Sequence, residues 1–167
     1  MKISPTDIDW TVIVTESLPN CPSIKAGWEK IATQSKWGEW RSESKLRGKD
    51  VSTFIVPPGS EPLKKGDKYI VSIGNFMKIH CQVIESSSPE TSEVKEDEMV
   101  FDATGISMGG LIKARFRFKV FRGEDGTVMA RAHEKIMALP FLIPSKKILE
   151  GEHRHTFKDL NKSFHTS

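Results

Sequence analysis

Two side chains in this sequence have the chemistry of an acid/base pair, Glu134 in TVMARAHEKIMAL and His153 in LEGEHRHTF. Whether Glu134 can serve depends on a strand register. If GEDG forms a type I turn with Gly126 as a left-handed bulge, Val128, Ala130, Ala132, Glu134 and Ile136 point inward and Arg131, His133 and Lys135 point out. A slip of one residue buries three cationic side chains instead, so the first register is the cheaper one. Glu134 is then a lone carboxylate among apolar groups, where desolvation favours its protonated form. That suits it to proton transfer, or to gripping the polar end of an apolar ligand. His153 lies on a helix stripe that faces the same interior, which makes Glu134 and His153 the candidate catalytic residues. The competing reading is that both are ordinary hydrogen-bonded polar groups of the core or its rim.

Other constellations carry less. His153 and His155 look like a metal pair, but residues two apart on a helix lie ~200° from each other, so no metal site is expected. Cys21 and Cys81 have neither CxxC spacing nor zinc partners and read as free buried thiols of a reducing compartment. Ser107 and Ser145 lack a GxSxG elbow, and GISMGG joins two strands, so the helix N-terminus of a phosphate loop is missing. No cofactor is implied. In LIKARFRFKVFR, Lys113, Arg115, Arg117 and Lys119 share one strand face, which suggests a polyanion stripe. If Gly105 faces Gly110 across the preceding turn, however, Asp102, Glu98 and Glu96 fall opposite Lys113, Arg117 and Lys119 and neutralise it. A net charge of +3 from 25 basic and 22 acidic residues adds no case for nucleic acid.

The elements that must position these groups follow from periodicity. Ile8 to Thr15 alternates as a strand, with Trp10 on the face of Val12 and Val14. Pro22 to Thr33 has helical spacing, and KWGEW reads as a second short turn of helix or a bent connection whose tryptophans anchor one end of the core. Arg41–Lys49 and Val51–Val56 are strand-like. Tyr69–Gly74, Met77–Glu85, Glu98–Thr104, Leu111–Arg122 and Thr127–Leu139 are strands bounded by turn chemistry, and Ser86–Asp97 is a polar loop. From Pro144 to Phe164, Leu149, His153, Thr156, Phe157, Leu160 and Phe164 form one stripe about 100° wide on a long amphipathic helix. The polar His153 and Thr156 in that stripe are the first hint of a lined cavity rather than a filled core.

Strands joined by hairpins and covered by helices give an α+β domain, and 167 residues fit one domain over residues 1–167. The opening strand, SIKAGWEKIATQSKWGEW, PLKKGDK before the hairpins and the closing helix together resemble the START-like polyketide cyclase superfamily. This helix-grip fold is shared with the birch pollen allergen. The resemblance implies a curved antiparallel sheet of about six to seven strands wrapped around the long C-terminal helix, with two short helices near the N-terminus. It also implies a cavity between sheet and helix that takes a hydrophobic or aromatic small molecule. Candidate ligand-binding residues are Trp28, Val71, Phe101, Phe116, Phe118, Thr156, Phe157 and Leu160, all placed inward by alternation or wheel position. Members also include cyclase, dehydratase and isomerase-type enzymes and chaperone ATPase activators, so an enzyme using Glu134 and His153 and a protein-binding module are the alternatives. With no apolar run near ~18 residues, neither membrane insertion nor export is expected, and the chain reads as cytoplasmic.

Overall fold

Antiparallel pairing runs through every described strand. The computed structural model describes residues 10–40, 61–73, 77–87, 97–143 and 145–165. The strand-like Arg41–Lys49 and Val51–Val56 lie outside them, as does most of the Ser86–Asp97 loop. Within them, β1 (Val12–Ser17), β2 (Lys68–Ile73), β3 (Met77–Ser86), β4 (Glu98–Ser107), β5 (Ile112–Arg122) and β6 (Val128–Met137) form a six-stranded sheet in the order β1-β6-β5-β4-β3-β2. Helix α1 (Ile24–Ala32) and a 3-10 turn over Gln34–Glu39 follow β1, and α2 (Lys146–Ser163) follows β6.

Turn chemistry sets the β5–β6 register. Gly126 adopts φ +84°, Gly126 N–H donates to Gly123 O (3.0 Å), and Gly123 N–H donates to Thr127 O (2.8 Å). That is the turn-plus-bulge expected of GEDG, and it pairs Arg122 with Val128. Val128, Ala130, Ala132 and Glu134 are buried in consequence, and Arg131, His133 and Lys135 occupy the other face.

The β4–β5 hairpin closes differently from the expected one. Met108, Gly109 and Gly110 all have positive φ, so the chain reverses within the tip and the ladder runs to Ser107 opposite Ile112. Gly105 therefore pairs with Ala114, not Gly110, and Asp102 pairs with Arg117, not Lys113. The displacement is an even number of residues, so every side chain keeps its face and only its partner changes.

Helix α1 begins at Ser23, whose Oγ accepts from Ala26 N–H, which places Pro22 before the helix rather than in its first turn. Its last carbonyls are occupied by indoles. Trp37 Nε1 donates to Ile31 O (2.7 Å) and Trp40 Nε1 to Lys30 O (3.2 Å), while Leu63 N–H takes Ala32 O. Both tryptophans are buried, so the helix end satisfies groups that water cannot reach. Across the sheet, Trp28 Nε1 donates to Val100 O (3.0 Å) and fixes α1 on β4.

Trp10 corrects the alternation reading. The ladder starts at Val12, and Trp10, just outside it, crosses to the outer face, where its ring lies 5.2 Å from His133 and under the Arg115 guanidinium. The basic stripe is neutralised by partners other than those expected. Asp102 accepts two hydrogen bonds from Arg115 and lies 3.4 Å from Arg117 Nε; Arg117 also reaches Glu85, and Lys119 pairs with Glu98. A bulge between Val83 and Glu85 turns Glu85 onto this face beside Asp102.

His133 sits on the same face, with its Nδ1 buried. Burial, then the charges of Lys119, Arg131 and Arg117, lower its pKa to about 4. Between about 6.5 and about 4 the unfolded chain binds a proton that the folded chain refuses, so stability falls as pH drops through that window. Discounted for partial exposure, the effect is about 1–2 kcal/mol. In urea melts, His133→Gln should lose that much less stability than the parent between neutral pH and pH ~4. Equal losses would show that His133 titrates alike in both states.

Candidate functional site

Glu134 stands on the inner face of β6 between Val12 of β1 and Phe116 of β5, and is only 3% exposed. Its backbone carbonyl accepts from Thr11 N–H, which holds β1 against it at the start of the ladder. His153 projects from α2 and brings Nε2 to 2.5 Å from Glu134 Oε2. Glu134 is therefore not the lone carboxylate that the sequence suggests. A contact that short requires a hydrogen between the atoms, donated either by the imidazole N–H to the carboxylate or by the protonated acid to the imidazole. In either state the pair is one hydrogen-bonded unit that can release or accept a proton on its free edge.

The surroundings are aromatic. The Phe118 ring stands edge-on to His153 (6.3 Å) and to Phe157 (6.4 Å), and Phe116 is the β5 neighbour of Glu134. Thr156 lies one turn after His153 and is half-buried. Helix α2 is capped by Ser145 Oγ, which accepts from Ile148 N–H. Leu149, Phe157 and Leu160 of the expected stripe are buried.

Three ties hold α2 in place. Asn161 Oδ1 accepts from Asn20 N–H (2.9 Å), Lys30 Nζ donates to Ser163 O and Oγ, and Arg154 reaches Glu16 of β1 at 3.6 Å. None was visible from the sequence, because each joins residues more than a hundred positions apart. They fix the position of His153 along the sheet.

The remaining candidates occupy the same continuous core but not the same neighbourhood. Trp28, Phe101 and Leu160 are buried in it, with the indole N–H of Trp28 committed to Val100. Val71 is buried on β2, the opposite edge strand, four strand spacings or roughly 19 Å along the sheet from β6. The structure thus gathers Phe116, Phe118 and Phe157 around Glu134 and His153, with Thr156 beside them, and leaves Val71 apart. His155 pairs with Asp159 along α2, away from His153. Among the described residues no three His, Cys, Asp or Glu side chains converge as a metal site would need. Cys21 and Cys81 are free and buried, and burial pushes the Cys21 thiol above its ordinary value.

No family model matches the chain, and no curated protein matches it either. Solved structures do. A hypothetical protein from Helicobacter pylori, 13% identical, superposes with a TM-score of 0.67 over 95% of this chain and 89% of that one. Ara h 8.0201, 10% identical, gives 0.56 over 93% and 97%, and major latex-like protein 151 from Panax ginseng, 11% identical, gives 0.56 over 90% and 94%. At such identities the likeness is one of fold alone: an antiparallel sheet with a long C-terminal helix, the helix-grip fold. Among the described residues no helix is long and apolar enough to cross a membrane.

Proposed function

We propose that this helix-grip chain binds a hydrophobic or aromatic small molecule between the sheet and α2, with Glu134 and His153 gripping one polar group of it. The observation that carries this reading is the buried Glu134–His153 hydrogen bond beside Phe118, polar chemistry held on a mostly apolar inner face. A pair needed only for stability is an expensive choice, since a well-packed apolar pair is often as stable as a buried ionic one. Retaining it favours a ligand that is apolar over most of its surface and offers one hydroxyl, carbonyl or carboxyl to the pair.

The same contact supports a second reading, an enzyme of the cyclase, dehydratase or isomerase type. A carboxylic acid and an imidazole that already share a hydrogen can pass it to a substrate held against them. Native mass spectrometry of the protein as purified tests the binding reading, because a retained ligand reports its own mass. The expected result is an adduct in the parent that His153→Phe loses. An apo mass, together with tryptophan fluorescence indifferent to anilinonaphthalene sulfonate, would remove the ligand-binding reading. Turnover of an identified ligand abolished by Glu134→Gln, with affinity retained, would establish the second reading over the first.

A further inference from the structure

One end of the sheet exposes apolar side chains that the fold does not use. Ile13 apart, every large hydrophobic side chain exposed among the described residues lies at the β4–β5 hairpin tip, in the segment leaving β6, or on the first turn of α2. Strand pairing brings these places together: Ile106 is opposite Lys113, and Lys113 is opposite Met137. Beyond that row, Met108 and Leu111 project from the hairpin and Leu139 and Phe141 from the β6–α2 connection. Phe141 is 81% exposed on a 3-10 turn that contributes nothing to the core.

Among the described residues, the two segments that form this end carry basic side chains and no acidic one. The stretch IMALPFLIPSKKIL, from Ile136 to Leu149, contains no acidic residue, and neither does TGISMGGLIKAR, from Thr104 to Arg115. Lys113, Lys146 and Lys147 are exposed there and Lys135 is half-buried. Glu150 lies 3.9 Å from Lys146.

We propose that this end of the molecule docks on an anionic lipid surface, with Phe141, Leu139 and the hairpin tip entering the headgroup region and the lysines meeting lipid phosphates and carboxylates. Apolar tips ringed by lysine are the two elements of interfacial binding. A second copy of this chain fits poorly, since two such ends face to face oppose lysine to lysine. No spanning segment is involved. The expectation of no membrane insertion came from the lack of a long apolar run, a criterion blind to loop tips. This inference is independent of the ligand proposed above, and its test needs none.

The test is flotation of the full chain with vesicles of phosphatidylcholine alone and of phosphatidylcholine mixed with phosphatidylserine. The parent should float with the mixed vesicles and lose most binding in high salt. Phe141→Ser should lower partitioning about tenfold, and Lys146→Glu with Lys147→Glu by at least as much. Ile13→Ser, an exposed apolar change on β1 outside the hairpin tip and the β6–α2 connection, should have no effect. All these positions are exposed, so the variants should fold, and unchanged circular dichroism checks that they do. Failure of the parent to float with mixed vesicles, or parent-like flotation of Phe141→Ser, overturns the proposal. So does a dimer in sedimentation that Phe141→Ser dissolves, which would assign the patch to self-association.

Discussion

Asp102→Ala should destabilise the protein by about 3–5 kcal/mol, an unusually large cost for a residue on the outer face of a sheet. The carboxylate is fully buried there, beneath the side chains that it binds. Arg115 holds it through Nε to Oδ1 (3.2 Å) and Nη2 to Oδ2 (3.0 Å), and Arg117 Nε is 3.4 Å from Oδ2. Removing it leaves two guanidinium groups, 20% and 12% exposed, with their shared counter-charge gone. Arg117 keeps Glu85, so the damage falls mostly on Arg115. Asp102→Asn retains an acceptor and should cost less than Asp102→Ala, while Arg115→Met added to Asp102→Ala should recover part of the loss by removing the stranded charge. Urea unfolding at neutral pH measures all three. A cost below about 1 kcal/mol for Asp102→Ala would show that the cluster behaves as a solvated surface pair. The consequence reaches the inner face, because Asp102 lies between Phe101 and Ala103 and opposite Arg117, which separates Phe116 from Phe118. A loosened ladder at this point displaces the aromatic wall beside His153.

What could be read from the sequence follows the range of the forces involved. The inward direction of Glu134 was legible because a glycine-terminated three-residue turn permits few geometries, and each fixes the parity of the strand after it. The β4–β5 hairpin was legible in its faces but not in its partners. Shifting a ladder by an even number of residues leaves the hydrophobic pattern intact, so periodicity is silent on the choice. Three consecutive residues at positive φ make that choice here, and Met108 at φ +52° gives no warning of it by its type. Trp10 failed for a related reason: alternation holds only inside the ladder, which begins at Val12. The wheel position of His153 gave its side of α2 but not its distance from Glu134. That distance depends on where Asn20, Lys30 and Glu16 fasten the helix, and these contacts join residues more than a hundred positions apart.

The Glu134–His153 pair should show strong energetic coupling. His153→Phe leaves a carboxylate that is 3% exposed with neither its imidazole partner nor water, a change expected to cost about 3–5 kcal/mol at neutral pH. Glu134→Gln removes the charge but keeps a group able to donate to the imidazole, so about 1–2 kcal/mol is expected. In the double variant no charge is stranded, and a glutamine facing phenylalanine is only an imperfectly satisfied amide. Its cost should therefore fall short of the sum of the single changes by about 1–3 kcal/mol. Read out as affinity for whatever ligand the purified protein retains, the same cycle separates two origins of coupling. If the pair grips the ligand, each single change should abolish most of the affinity and the second should add little. If the pair serves only the fold, stability should couple while affinity, measured well below the unfolding transition, stays near that of the parent. Additive effects in both readouts would mean that the contact between Glu134 and His153 is adjacency without function, and would remove the acid/base reading with it.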